Sequence, residues 1–501
     1  MGSGLIVTAM LLFVTTGTFI ILLYVVDGFR PFGMNGIWVQ SRYMTYVGDE
    51  MDHIFRQRNM IIESERAEII IRVRNIGYED EARIQIFEDA NGVSFNSINR
   101  THVDFLEVLD EYGYPFTKIL VREPSGVMRR TARVYINLKR DYSPALRYAP
   151  YNFVLNTGRS PVSFQFDPSA EFLNIENLVV HGTGQVTLPP PPTTVNPFRV
   201  NIHNLIIDSP SARVNHRGVV TGETIVRGVS NNIVLGNIQS LCVYGTRHNV
   251  SVFSATDIDF NVVGGSITVR DEARALYVRG ADVNVSASTL YSFFHYTNTG
   301  RVAINSITTR TELTSVRMLG GALTLGTRGA GHGVFGNVDI YKRVGGMNVT
   351  FANDDLATGS LTIRAIDGNI NVHGVRGLVD IYIPSMGDAN VSIGFSRVVA
   401  NSRVIIEGSR EPNRFGALNV ILLGADTGAS LHMRGSMAIM NHIDTTTVGN
   451  CINHNHRTPT RPVGLEDWET DAHCTITSIR GGGGLLHLKT QNTITLRAGM
   501  W

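Results

Sequence analysis

Gly336-Asn-Val-Asp-Ile-Tyr341 recurs as Gly377-Leu-Val-Asp-Ile-Tyr382, and Met347-Asn-Val-Thr-Phe351 recurs as Ala389-Asn-Val-Ser-Ile393; the two matches stand 41 and 42 residues apart. Two motifs that keep nearly one offset mark an internal repeat. Inside each motif apolar and polar residues alternate, with Val338 and Ile340 set against Asp339 and Tyr341, which is the period of a strand with one buried face. Gly, Asn or Asp separates one strand from the next, and no helical period intervenes. A repeat of this length fits two coils of roughly 20 residues, each adding a Val/Ile/Leu rung to a continuous inner ladder, with Gly and Asn at corners that need positive φ. The reading is a β-solenoid in which Val338 and Ile340 share one inward ladder with Val379 and Ile381.

Working outward, Ser266-Ile-Thr-Val-Arg270 echoes Ser360-Leu-Thr-Ile-Arg364, and Val283-Asn-Val-Ser286 adds a fainter copy. The segments GGSITVRDEARALYVRGADVNVSAS (Gly264 to Ser288) and GSLTIRAIDGNINVHGVRGLVDIYIP (Gly359 to Pro384) resemble the adhesin-type β-helix repeat family, right-handed solenoids often tethered behind one membrane helix. The resemblance covers about Phe198 to Met500 and lies in the style of strand and turn. It implies a fold and an adhesive or scaffolding role, and it brings no catalytic residues.

Toward the N-terminus the alternation continues in Ala67–Asn75, Ala82–Asp89 and Thr131–Lys139, broken by turn residues in NIGYED and EDANG. These are read as half-buried antiparallel strands of a small β-sandwich. Before them, Leu5 to Val26 is 22 residues without a charge, enough for a helix to cross a hydrocarbon core of about 30 Å. The fold class is therefore all-β with one N-terminal transmembrane helix, a small β-sandwich-like domain and a right-handed parallel β-helix. In residue terms this gives a short end (1–4), the spanning helix (5–26), a neck (27–60), a small β domain (61–160), a connecting coil with a proline-rich loop (161–197) and the solenoid (198–501). LPPPPTTVNP, Leu188 to Pro197, is read either as a linker or as a loop protruding from one coil.

Composition removes several functions. The chain has 501 residues, 44 basic against 43 acidic, for a net charge of +1, so no global field recruits nucleic acid. Only Lys118, Lys139, Lys342 and Lys489 are lysines and none follows a glycine, which excludes a phosphate-cradling Gly-Lys-Ser/Thr loop and with it that route to nucleotides. Gly331-His-Gly-Val-Phe-Gly336 matches GxGxxG, but a strand follows where dinucleotide binding needs a helix.

Gly331-His332-Gly333 and Asn353-Asp354-Asp355 resemble fragments of the polygalacturonase site, yet in reversed order and without the Arg-x-Lys that follows there. Asp257 and Asp259, at strand spacing, are candidates for calcium or acid chemistry, with an exposed coil face as the plainer reading. Cys242, in the apolar run SLCVYG, reads as a buried core thiol. Cys451 and Cys474 bracket a polar, proline-containing excursion at about 441–475. Three readings stay open there: a Cys451–Cys474 disulfide, two unpaired thiols, or a zinc site drawn from Cys451, His454, His456, His473 and Cys474. The sequons at Asn99, Asn249, Asn284, Asn348 and Asn390 do not decide topology.

The functional expectation is a non-enzymatic, single-pass membrane protein, with no cofactor and no catalytic residues. Its solenoid acts as an accessory subunit or docking scaffold. The expected partners are other protein subunits of a membrane assembly and, through residues 5–26, the lipid bilayer; nucleic acid and nucleotides are not among them. Arg30 and Arg42 favour the inner side by the positive-inside rule, whereas a disulfide would put the β-region on the non-cytoplasmic side: extracellular, periplasmic or organellar, the mitochondrial intermembrane space included. The rivals are a surface adhesin or ligand-binding protein, and a carbohydrate-active β-helix enzyme. Exposed aromatics at solenoid spacing favour sugars, convergent carboxylates favour the enzyme, and a charge-complementary face favours the subunit.

Overall fold

A computed structural model describes the chain over residues 58–73, 84–88, 100–109, 115–123, 132–138, 150–166, 172–189, 200–308, 313–327, 333–343, 346–350 and 361–363, together with the backbone of further strands between 38 and 498. The described residues are all-β, with no helix long and apolar enough to cross a membrane. The segment Leu5–Val26 lies outside them. Two compact units divide at Gly218/Val219.

In the first unit, consecutive coils stack by parallel pairing. Strand Asn59–Ser64 runs parallel to Pro115–Arg122 on one side and to Tyr151–Thr157 on the other. Tyr151–Thr157 continues to Phe172–His181 and then to Arg199–Ser209. The apolar member of each alternation therefore falls into one line: Ile119, Ile62, Leu155, Val180 and Ile207, none more than 1% exposed. Burial of side chains of this kind is worth about 1.5–3 kcal/mol each. Beside that line the polar member forms a ladder of its own. Asn152 Nδ2 donates to Asn59 Oδ1 at 2.8 Å, Asn177 to Asn152 at 2.8 Å, and Asn204 to Asn177 at 3.0 Å, each amide donating to the coil before it.

The antiparallel reading of this region holds for some pairs and is corrected for others. Ile84–Val93 pairs antiparallel with Arg129–Lys139, as does Trp38–Val47 with Ile84–Val93. Glu68–Arg74, however, runs parallel to Arg129–Lys139, with Ile69 opposite Val134 and Ile71 opposite Ile136. A residue period of two is common to both directions, so alternation alone could not separate them. Coil stacking thus begins well before Phe198. Phe172 stands opposite Arg199 and Gln185 opposite Arg213; residues 190–198 of the proline-rich stretch lie outside the described residues.

In the second unit the rungs shorten. Asn232–Thr297 is one unbroken extended run whose coils lie 17 residues apart: Val285 faces Val302, Ser254 Oγ donates to Asn237 Oδ1, and Ser266 Oγ donates to Asn249 Oδ1. Such tight winding brings successive corners almost into contact. Gly265 has φ +110°, and a Cβ there would overlap the carbonyl oxygen of His248 in the coil below.

Farther along the coils lengthen, and the 41-residue repeat resolves into two unequal steps. Val338 stands opposite Leu361 and Leu361 opposite Val379; Ile340, Ile363 and Ile381 do the same, in steps of 23 and 18 residues. Val338, Ile340, Leu361 and Ile363 are at most 1% exposed. The second motif does not keep register: Asn348 faces Asn371, which faces Gly394 and not Asn390. Ser430–Gly435 pairs directly with Gly483–Thr490, and Ala438–Ile443 with Ile494–Ala498. The excursion therefore leaves after Ile443 and returns at Gly483, wider than 441–475.

Candidate functional site

The outward positions of the second unit carry its most distinctive chemistry. Register alone builds one column across consecutive rungs: Tyr296, Arg317, Tyr341, Arg364, Tyr382, Glu407, Arg434 and Lys489. Where side chains are described, all three members are exposed, Tyr296 by 40% and Tyr341 by 41% with Arg317 between them. The Arg317 guanidinium lies over the Tyr296 ring, 5.2 Å from its centroid. One coil earlier and one residue pair along, Tyr277 and Phe294 stack face to face at 5.1 Å with 7° between planes. Tyr296, Arg317, Leu319, Asp339 and Tyr341 line a groove of about 530 Å³.

The neighbouring column differs in sign. Ser315, Asp339, Thr362 and Asp380 succeed one another there, each opposite the next. A stripe in which tyrosine alternates with arginine as far as Tyr382 thus runs beside a stripe carrying two aspartates.

Titratable groups also point inward, where the sequence gives little sign of them. His295 is fully buried; its Nε2 shares a 2.7 Å hydrogen bond with Thr297 Oγ1, its Nδ1 has no partner, and burial pulls its pKa from 6.5 to about 4. His248 is buried at a corner. It takes the Asn231 N–H on Nδ1 and meets the Tyr244 carbonyl through Nε2, an arrangement that fits the neutral ring with its proton on Nε2; burial lowers its pKa. Lys342 ends strand Val338–Lys342 with no exposed surface, and burial lowers its pKa to about 8.

The sequence candidates fare unevenly. Asp257 is exposed and Asp259 half-buried, on the outer face of a coil. Cys242 is half-buried and not a core residue; it alternates with the buried Leu241 and Val243 and so takes the outer face beside Tyr244. Gly331, His332 and the Asn353-Asp354-Asp355 string lie outside the described residues, as do His454 and His456. The strands of the excursion, Val448–Asn453 and Thr470–Thr477, are antiparallel, and their register puts Cys451 directly opposite Cys474 and Ile452 opposite His473. Opposed residues of an antiparallel pair have Cα atoms about 4.5–5.5 Å apart, inside the range that a disulfide spans. Among the residues whose side chains are described, no three His, Cys, Asp or Glu come together as a metal site.

Searched against known protein families and against characterised proteins, the chain matches none.

Proposed function

We propose that this chain is a non-enzymatic, membrane-anchored β-solenoid that serves as a docking scaffold or accessory subunit within a larger membrane assembly. The coils are read as a right-handed β-helix, the hand that parallel crossovers adopt in nearly all cases, and Leu5–Val26 as its membrane anchor. The observation that carries the reading is the Tyr/Arg column, exposed at Tyr296, Arg317 and Tyr341 and continued by register to Lys489. Tyrosine and arginine are the residues most enriched where protein partners bind tightly, because each offers a large, fairly rigid surface with a polar end.

Two features favour a protein partner over other occupants. First, part of the aromatic surface is already occupied within the chain: Tyr277 and Phe294 each cover one face of the other, and Arg317 lies over one face of Tyr296. A sugar ring stacks on an open aromatic face, so this occupancy reduces the surface left to a glycan. Second, the arginines of one column alternate rung by rung with Asp339 and Asp380 of the next, Arg317 and Arg364 lying on the strands that flank Asp339. A uniform polyanion such as nucleic acid meets repulsion there, whereas a protein surface with carboxylates facing the arginines and a cation facing the aspartates fits both stripes.

The test is purification of the full chain from its native membrane in mild detergent, comparing wild type with Arg317→Glu. The reading expects a defined set of companion chains with the wild type and loss of at least one from the variant at equal expression. Identical companions for both proteins would overturn the assignment to this face.

A further inference from the structure

The return of the chain after its excursion creates a juxtaposition that linear spacing hides. Strand Ser430–Gly435 pairs parallel with Gly483–Thr490, and His432 stands opposite His487. Thr470–Thr477 pairs antiparallel with the other edge of Gly483–Thr490, and His473 stands opposite the same His487. Three histidines, far apart in the sequence, therefore occupy one row across three adjacent strands.

Residues directly opposed across neighbouring strands share a face of the sheet, and adjacent strands lie about 4.7–4.9 Å apart. The polar face is the one in question. His432 alternates with Leu431 and Met433, and His487 with Leu486 and Leu488, whose period-two pattern marks the apolar side. Asp471 belongs to the same face as His473, two residues along, and stands opposite Lys489. Cys474 falls on the opposite face from His473, together with Cys451. This separates two chemistries that the sequence mixes: the thiols and His473 cannot readily serve one ion, because consecutive strand residues face opposite ways.

From this placement we propose that His432, His473 and His487 form a binding site for a borderline divalent transition-metal ion, zinc in the first instance. Neutral imidazole is a preferred ligand for zinc, and three protein nitrogens with a fourth position left to water or another donor is a well-populated zinc arrangement. The site would tie the returning strand and the excursion to the solenoid, since its ligands come from both. By register it continues the column of Asp339, Thr362 and Asp380 through Ile405, beside Arg434 and Lys489 at the far end of the Tyr/Arg column, and its test reads bound metal rather than partner chains.

The test uses the full chain in mild detergent, purified without a polyhistidine tag and stripped with chelator, titrated with zinc alone by calorimetry and then loaded with cobalt(II) for absorption spectroscopy. The expected result is one zinc per chain with micromolar or tighter affinity. Binding should weaken at least tenfold in His487→Ala, and in His432→Ala and His473→Ala taken singly, and should be unchanged in Cys451→Ser/Cys474→Ser and in His442→Ala. Cobalt should give visible d–d bands without the near-ultraviolet thiolate charge-transfer band, a readout on the wild type that needs no variant to fold. Absence of stoichiometric zinc binding, binding indifferent to His487→Ala, or a cobalt–thiolate band would each overturn the proposal.

Discussion

His295 makes the protein lose stability in acid, by an amount that its burial sets. The ring is wholly buried with its Nδ1 unpartnered, faces Val316 of the next coil, and packs 5.8 Å from the Phe293 ring. Burial lowers its pKa from 6.5 to about 4. Between those values the unfolded chain holds a proton at this residue and the native chain does not, so stability rises with pH across that window. Its contribution is complete above pH 6.5, is lost progressively as pH falls toward 4, and changes no further below that. At about 1.4 kcal/mol per pH unit, the fall amounts to roughly 3 kcal/mol. His295→Leu removes the proton and keeps an apolar side chain in the inner ladder, while the Thr297 hydroxyl retains the Thr299 carbonyl as acceptor at 3.3 Å. Urea unfolding of the full chain in detergent, followed by the circular dichroism of the sheet at pH 7, 6, 5 and 4, should show the wild type losing about 3 kcal/mol more than His295→Leu. His248, also held neutral by burial, leaves a smaller acid loss in both proteins. Parallel pH dependences would refute the reasoning, because they would mean that His295 takes up its proton as readily in the native chain as in the unfolded one.

Three further outcomes follow from the same geometry. Gly265→Ala puts a methyl group against the His248 carbonyl at φ +110° and should destabilise by about 2–4 kcal/mol in thermal unfolding, whereas alanine at the open Gly264 corner, where the nearest atom is a side-chain carbon at 3.7 Å, should cost less. Lys342→Met removes a charge that burial disfavours, so the stability of the wild type relative to the variant should rise as pH increases above 8 and the wild-type lysine deprotonates in the native chain, as urea unfolding at pH 7, 8, 9 and 10 would show. Non-reducing peptide mapping after rapid alkylation should recover Cys451 and Cys474 in one linked peptide, which would place the β-region in an oxidising compartment; two alkylated thiols would remove that argument.

The inner ladder was legible because Val338 and Ile340 return, in phase, at Val379 and Ile381. What the 41-residue spacing concealed is that a whole rung, Leu361 and Ile363, lies between them at unequal steps. Strand direction was illegible, since Glu68–Arg74 and Ile84–Val93 alternate alike and pair oppositely with the same strand. The outward place of Cys242 was available from its alternation with Leu241 and Val243, but the apolar character of the run hid it. The Tyr/Arg column and the histidine row were hidden for a topological reason. Each member belongs to a different coil, coil length varies from 17 to 27 residues, and the excursion separates His432 from His487 by still more.

The most direct test of the docking account is site-specific photocrosslinking in the native membrane, with a photoreactive amino acid placed at Tyr341 in the column or, as a control, at Val263, which is 56% exposed and is not a member of it. The account predicts a discrete adduct between position 341 and one partner chain, absent from position 263 and abolished by Arg317→Glu. No adduct at 341, or the same adducts from both positions, would contradict it.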